Sequence, residues 1–209
     1  MPKQSHGLLS STQVAALTEL INVSIGIAAN SLSEIVDTEV ALNIPELDVF
    51  SSNDRDELNA IFGVESSYAM VKQDFQGNLT GTTALAFSNE SAANLVSLLT
   101  ETDVSEEELD IMQTGTLLEV GNIINNAFLG TLNNQFNFQV DYKLPEFNEV
   151  TVSHLLDATF GTDKDGLVIV ANAKISVTVK DIEGYLILLF KVMDLDFLKQ
   201  RLDMMVGVK

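Results

Sequence analysis

Apolar residues recur at helical spacing from Val14 to about Val36, with Leu17, Ile21, Ile25, Ala28, Leu32 and Ile35 falling on one side of the repeat. Just ahead of them Ser10 opens "SSTQ", and Gln13 stands where it can complete a capping box with it. The pattern predicts a long amphipathic helix. "TEVALNIPELDVF" (38–50) then turns to β-type residues around Pro45. Proline has no N–H to give to a ladder, so this strand lies at a sheet edge or is interrupted there. "SSNDRDELN" (51–59) predicts a polar loop or short helix. "FGVESSYAMVKQDF" and "LTGTTALAFS" flank "QGN" and predict a hairpin. "SNESAANLVSLLT" (88–100) predicts a capped helix.

The order then recurs. Ser105 offers an N-cap with Glu108 three residues on, and Ile111, Leu117, Leu118, Ile124, Phe128 and Leu132 carry a second long helix. "FNFQVDYKLPEF" (136–147) predicts a strand containing Pro145. "GLVIVANAKISVTV" and "YLILLFKV" flank "KDIEG" and predict another hairpin, and "DLDFLKQRLDMM" (194–205) a closing helix. "YLILLF" (185–190) has the length of a buried strand. The pattern implies one domain over 1–209 made of two repeated halves, roughly 11–100 and 105–205. Tight turns between consecutive β-segments imply an α/β (α+β) fold with a largely antiparallel sheet and long helices packed on a face. The turn glycines Gly77 and Gly184 correspond less strictly than the helices do, which implies an insertion in the second half.

Composition narrows the function. Apolar residues make up 46 % of 209, enough for a substantial core, and Cys is absent, so no disulfide or thiolate metal site can form. That fits a reducing compartment. The N-terminus shows no long apolar segment of a secretory signal, and no run of about 18 apolar residues predicts a membrane span. The formal charge of −19 opposes nucleic acid and anionic lipid, whose binding depends on Lys and Arg. It also opposes a free anionic substrate, so phosphate chemistry would need a partner that brings its own cations. The two histidines, His6 and His154, make a metal site or a His-based triad improbable on numbers alone. "EEELD" suits a helix N-terminus, and "GTDKDG" (161–166) predicts a turn rather than a calcium loop.

Inside the two greasy helices stand matching polar pairs, Glu19 with Asn22 in "ELIN" and Glu119 with Asn122 in "EVGN". The two Asn are 100 positions apart, and Pro45 and Pro145 each follow their Asn by 23 positions. This arrangement resembles the CheC-type phosphatases of bacterial chemotaxis, whose pattern is Glu, two residues, Asn, then 22 residues and a Pro. The resemblance covers about residues 11–205. Two motif copies resemble two-site CheC more than the single-site relatives typified by CheX; flagellar-switch relatives such as FliY carry an extra motor-binding domain that is not seen here. The family often places Ser or Asp four residues before the Glu, where this chain has Ala15 and Gly115.

The resemblance implies a substrate, the phosphoaspartate of a CheY-like response regulator in two-component signalling, and a cytoplasmic location. It implies no cofactor of the protein's own: the regulator supplies Mg2+ and a Lys beside the phosphoryl group. What remains is to place a water in line with the P–O bond. A carboxamide can hold a water without a net charge, so Asn22 and Asn122 would orient it. Glu19 and Glu119, neighbours at i and i+3, would dock the regulator's Lys. The alternative is a non-catalytic adaptor of the same fold that binds the receptor deamidase CheD or a receiver domain. Asn22 and Asn122 on exposed faces would favour an enzymatic or docking role, and burial within the fold a structural one. Asn125, Asn126, Asn133 and Asn134 read as surface residues of the second helix.

Overall fold

Ser10 caps the first helix in both directions. Its hydroxyl accepts from the Gln13 backbone N–H at 3.2 Å, and its own N–H donates to Gln13 Oε1 at 2.9 Å. The computed structural model describes residues 8–37, 39–100, 106–137, 139–161, 166–177, 180–191 and 195–207. The first half runs α1 (Ser11–Val36), β1 (Val40–Ser51), α2 (Arg55–Phe62), β2 (Ser67–Gly77), β3 (Gly81–Phe87) and α3 (Asn89–Thr100). The second runs α4 (Glu106–Phe136), β4 (Val140–Tyr142), β5 (Glu146–Thr151), α5 (Val152–Phe160), β6 (Gly166–Val177), β7 (Lys180–Lys191) and α6 (Leu195–Met205). Ser105, His6 and residues 162–165 of "GTDKDG" lie outside the described residues.

All seven strands form one antiparallel sheet in the order β1-β6-β7-β3-β2-β4, with β5 continuing the β4 edge along β2. Alternation divides its side chains between two apolar layers. Val71, Phe75, Leu85, Phe87, Ile169, Leu186 and Leu188 meet α1, α3, α4 and α6 on one face. Met70, Ala84, Ala86, Val168, Val170, Ile187 and Leu189 meet the short α2 and α5 on the other. The long helices thus share one face, as the pattern implied, while the opposite face carries a thinner helical cover.

Each motif proline sits at a one-residue irregularity along a sheet edge, Pro45 within β1 and Pro145 in the break between β4 and β5. In β1 the register passes from Asn43 opposite Lys174 to Glu46 opposite Asn172, three steps against two, across Pro45. At the other edge Tyr142 faces Phe75 and Glu146 faces Lys72, four steps against three, across Pro145. The extra residue is a bulge. The single strand expected over 136–147 is therefore two, and Phe136 belongs to α4. Two further expectations are corrected. "KDIEG" is not a turn but the start of β7, pairing Lys180 with Val177. Gly184 is needed for another reason: a Cβ there would lie 2.5 Å from the Phe87 ring. Residues 152–160, given no element by the sequence pattern, form α5, capped by the Thr151 hydroxyl accepting from His154 N–H at 3.1 Å.

Candidate functional site

α1 and α4 pack against each other on the same sheet face, and each carries one Glu/Asn pair. Glu19 and Asn22 are both exposed, as is Ala15 one turn earlier. Their stripe continues through Gly26 and two apolar residues, Val23 and Ile27, which are 42 % and 49 % exposed. Branched aliphatics left in water beside a polar pair form a ready contact surface. Among the described residues, no hydrogen bond or ion pair engages the side chain of Glu19 or Asn22.

The second pair sits deeper. Glu119 and Gly115 are exposed, but Asn122 is half-buried, and Ile123 and Ala127 beside it pack onto the core rather than into solvent. Asn126 Nδ2 donates to Asn122 Oδ1 at 2.7 Å. Asn126 Oδ1 in turn accepts from Gln73 Nε2 at 3.4 Å, and the same Gln73 nitrogen donates to the Lys143 carbonyl at 2.9 Å. That carbonyl can only accept, so it fixes the direction of the whole relay. Gln73 is buried on the helix-facing side of β2, between Val71 and Phe75.

Gly121, inside "EVGN", lets α4 come this close. A Cβ there would lie 2.4 Å from Val71 Cγ1. The residue 100 positions earlier, inside "ELIN", is Ile21, a buried core residue of α1. The surface reading of the neighbouring Asn residues holds only for Asn134. Asn125 is fully buried, its Oδ1 accepting from Thr83 Oγ1 at 3.0 Å, and Asn126 and Asn133 are half-buried. α4 passes between α1, α3 and the sheet, so residues on most of its circumference meet protein.

Among the described residues, two clefts are lined by neither pair. A cleft of about 290 Å³, lined in part by Asp74, Thr82, Asp141, Lys143 and Lys191, opens on the sheet face that carries α5. Burial pushes the Asp74 carboxyl up, but hydrogen bonds from Thr82 and Lys143 and the charges of Lys72 and Lys143 outweigh it and hold the group below the usual carboxylate range. A second cleft of about 120 Å³, also by α5, is lined in part by Lys72, Glu146 and His154. Small-molecule sites are concave, whereas both Glu/Asn pairs stand on helix surfaces where a macromolecule can lie. Among the described residues no group of three or more His, Asp or Glu is placed to hold a metal ion. One described helix, Ser11–Glu34 within α1, is long and apolar enough to cross a membrane by length and composition. Its buried residues pack on α4, β1 and α6.

No protein-family model and no curated protein matches the sequence. Solved structures do match. FliY of Thermotoga maritima superposes with a TM-score of 0.72 at 14 % identity, over 96 % of this chain and 99 % of that one. The fold is that of the CheC/CheX/FliY proteins. Within it, CheX of Borrelia burgdorferi, solved in complex with CheY, BeF3 and Mg2+, matches with a TM-score of 0.51 at 18 % identity, over 83 % of this chain and 99 % of that one. A CheC-like protein of a Shewanella species matches with a TM-score of 0.51 at 11 % identity, over 83 % and 97 %.

Proposed function

We propose that this protein is a cytoplasmic phosphatase that hydrolyses the phosphoaspartate of a CheY-like response regulator. One observation carries the reading: Glu19 and Asn22 stand exposed and unengaged on the outer face of α1, flanked by exposed Val23 and Ile27. The FliY/CheX fold supports it, since a CheX of that fold has been captured with CheY, BeF3 and Mg2+.

The chemistry needs little from the phosphatase. An acyl phosphate is already activated, and the regulator brings Mg2+ and a Lys to the phosphoryl group. Asn22 enters that site and orients the attacking water without adding negative charge beside the phosphoryl oxygens. Glu19, one turn back on the same face, pairs with the regulator's Lys and fixes α1 over the site. The pair on α4 repeats the arrangement, and we infer that the two halves descend from one duplicated unit. The acidic surface, −19 overall, then favours docking onto a partner site that is itself rich in cations.

Phosphate release from phosphorylated receiver domains, measured with Asn22→Ala, Asn122→Ala and the double variant, tests the assignment. Loss of release in the double variant is expected. Unchanged release would leave an adaptor that binds a receiver domain or CheD without turning over phosphate.

A further inference from the structure

Asn22 and Asn122 occupy equivalent positions in the two halves, yet their surroundings differ in one residue that bears on chemistry. One turn beyond Asn122 stands Asn126, whose Nδ2 donates to Asn122 Oδ1 at 2.7 Å. One turn beyond Asn22 stands Gly26, exposed and with open space around it. We propose that the Gln73–Asn126 relay latches Asn122 and makes it the weaker of two sites, so that Asn22 carries most of the phosphatase activity. This rests on the phosphatase reading above and assigns Asn126 and Gln73 as positioning residues.

The direction of the relay decides the effect. The Lys143 carbonyl accepts from Gln73 Nε2, which turns the same nitrogen toward Asn126 Oδ1. Asn126 must then present its Nδ2, and it does so to Asn122 Oδ1. A water attacking phosphorus keeps a lone pair for the bond that forms and gives its hydrogens to acceptors. The amide oxygen is the only acceptor that an Asn side chain offers. In Asn122 that oxygen is turned along the helix toward Asn126, and the amide plane is held by a chain that ends on a buried β2 side chain. Asn22 has no such tie and can rotate its oxygen to the water. Burial acts in the same sense, since Asn122 is half-buried where Asn22 is exposed.

Steady-state phosphate release from one phosphorylated receiver domain separates the outcomes. One hydrogen bond made only in the transition state is worth about tenfold in rate, so Asn22→Ala lowers kcat about tenfold or more with KM little changed. Asn122→Ala lowers it less than about twofold. Adding Asn126→Ala to Asn22→Ala frees the second amide and restores about threefold or more of the lost kcat, a gain that a purely structural role for Asn126 cannot produce. Asn126→Gly, which reproduces the first half, does the same if the Ala variant folds poorly. An Asn122→Ala loss equal to that of Asn22→Ala overturns the proposal while leaving the phosphatase reading intact. So does an absence of any gain from both Asn126 variants. Unchanged release in the Asn22→Ala/Asn122→Ala double variant overturns the phosphatase reading and the latch with it.

Discussion

Val71 fills the space that a Cβ on Gly121 would need, its Cγ1 lying 2.4 Å from that position. Val71 is itself buried on β2, and a β-branched side chain on a strand has little rotamer freedom with which to retreat. Gly121→Ala therefore destabilises the fold by about 1–3 kcal/mol, although Ala is the better helix former. Chemical denaturation checks this. Gly115→Ala, where no heavy atom lies within 4 Å, goes the other way and stabilises by up to about 1 kcal/mol.

Thr83 and Asn125 form the buried hydrogen bond that pins α4 to β3, at 3.0 Å. Thr83→Val leaves Asn125 Oδ1 without its donor and destabilises by about 1–3 kcal/mol. Asn125 Nδ2 is already buried without a partner among the described residues. Removing the whole amide along with the hydroxyl, as Thr83→Val/Asn125→Leu, accordingly destabilises by less than the two single changes added together. A double-mutant cycle in urea measures the difference.

Val23 and Ile27 test the docking surface separately from the chemistry. Both are substantially exposed, at 42 % and 49 %, so Val23→Asp and Ile27→Asp change stability by no more than about 0.5 kcal/mol. Each raises KM for a phosphorylated receiver domain, about tenfold or more for the pair, by burying a charge in the contact. Thermal melting alongside steady-state kinetics checks both halves of the statement.

Asp74 predicts a pH dependence whose sign is fixed. Its folded-state pKa lies below the ordinary 3.8, held down against burial by Thr82, Lys143 and Lys72. The group therefore adds stability above that ordinary value, and the contribution disappears as pH falls through the depressed folded value. Asp74→Asn lowers the melting temperature near neutral pH. The gap between the two proteins closes as the pH is taken well below 3.8. Melting curves across that range check it.

Much of this was legible in the residues, for identifiable reasons. Ser10 and Gln13 announce the start of α1 because a capping box is local. Pro45 announces an irregular edge because the missing N–H is a property of the residue itself, and β1 proves to be both an edge and bulged. Glu19 and Asn22 stand exposed side by side because i and i+3 share a helix face wherever the helix packs. What escaped depends on partners distant in sequence. Gly184 reads as a turn residue until Phe87 is placed against it. Asn125 and Asn126 read as surface until Thr83 and Gln73 arrive from other strands. α5 follows β5 with no Gly or Pro between them, and the one local signal, the Thr151 N-cap, is a single residue in an otherwise β-like run.

The two bulged edges have a consequence for the protein at high concentration. A single seven-stranded sheet that does not close on itself exposes two rows of backbone groups, each a template on which another molecule's strand could add. Pro45 falls within β1 on one of those rows, and Pro145 in the break between β4 and β5 that interrupts the other. Each withholds a donor and breaks the regular spacing that an incoming strand would have to match. The Pro that follows each Glu/Asn motif thus also works against edge-to-edge growth of the molecule into ribbons.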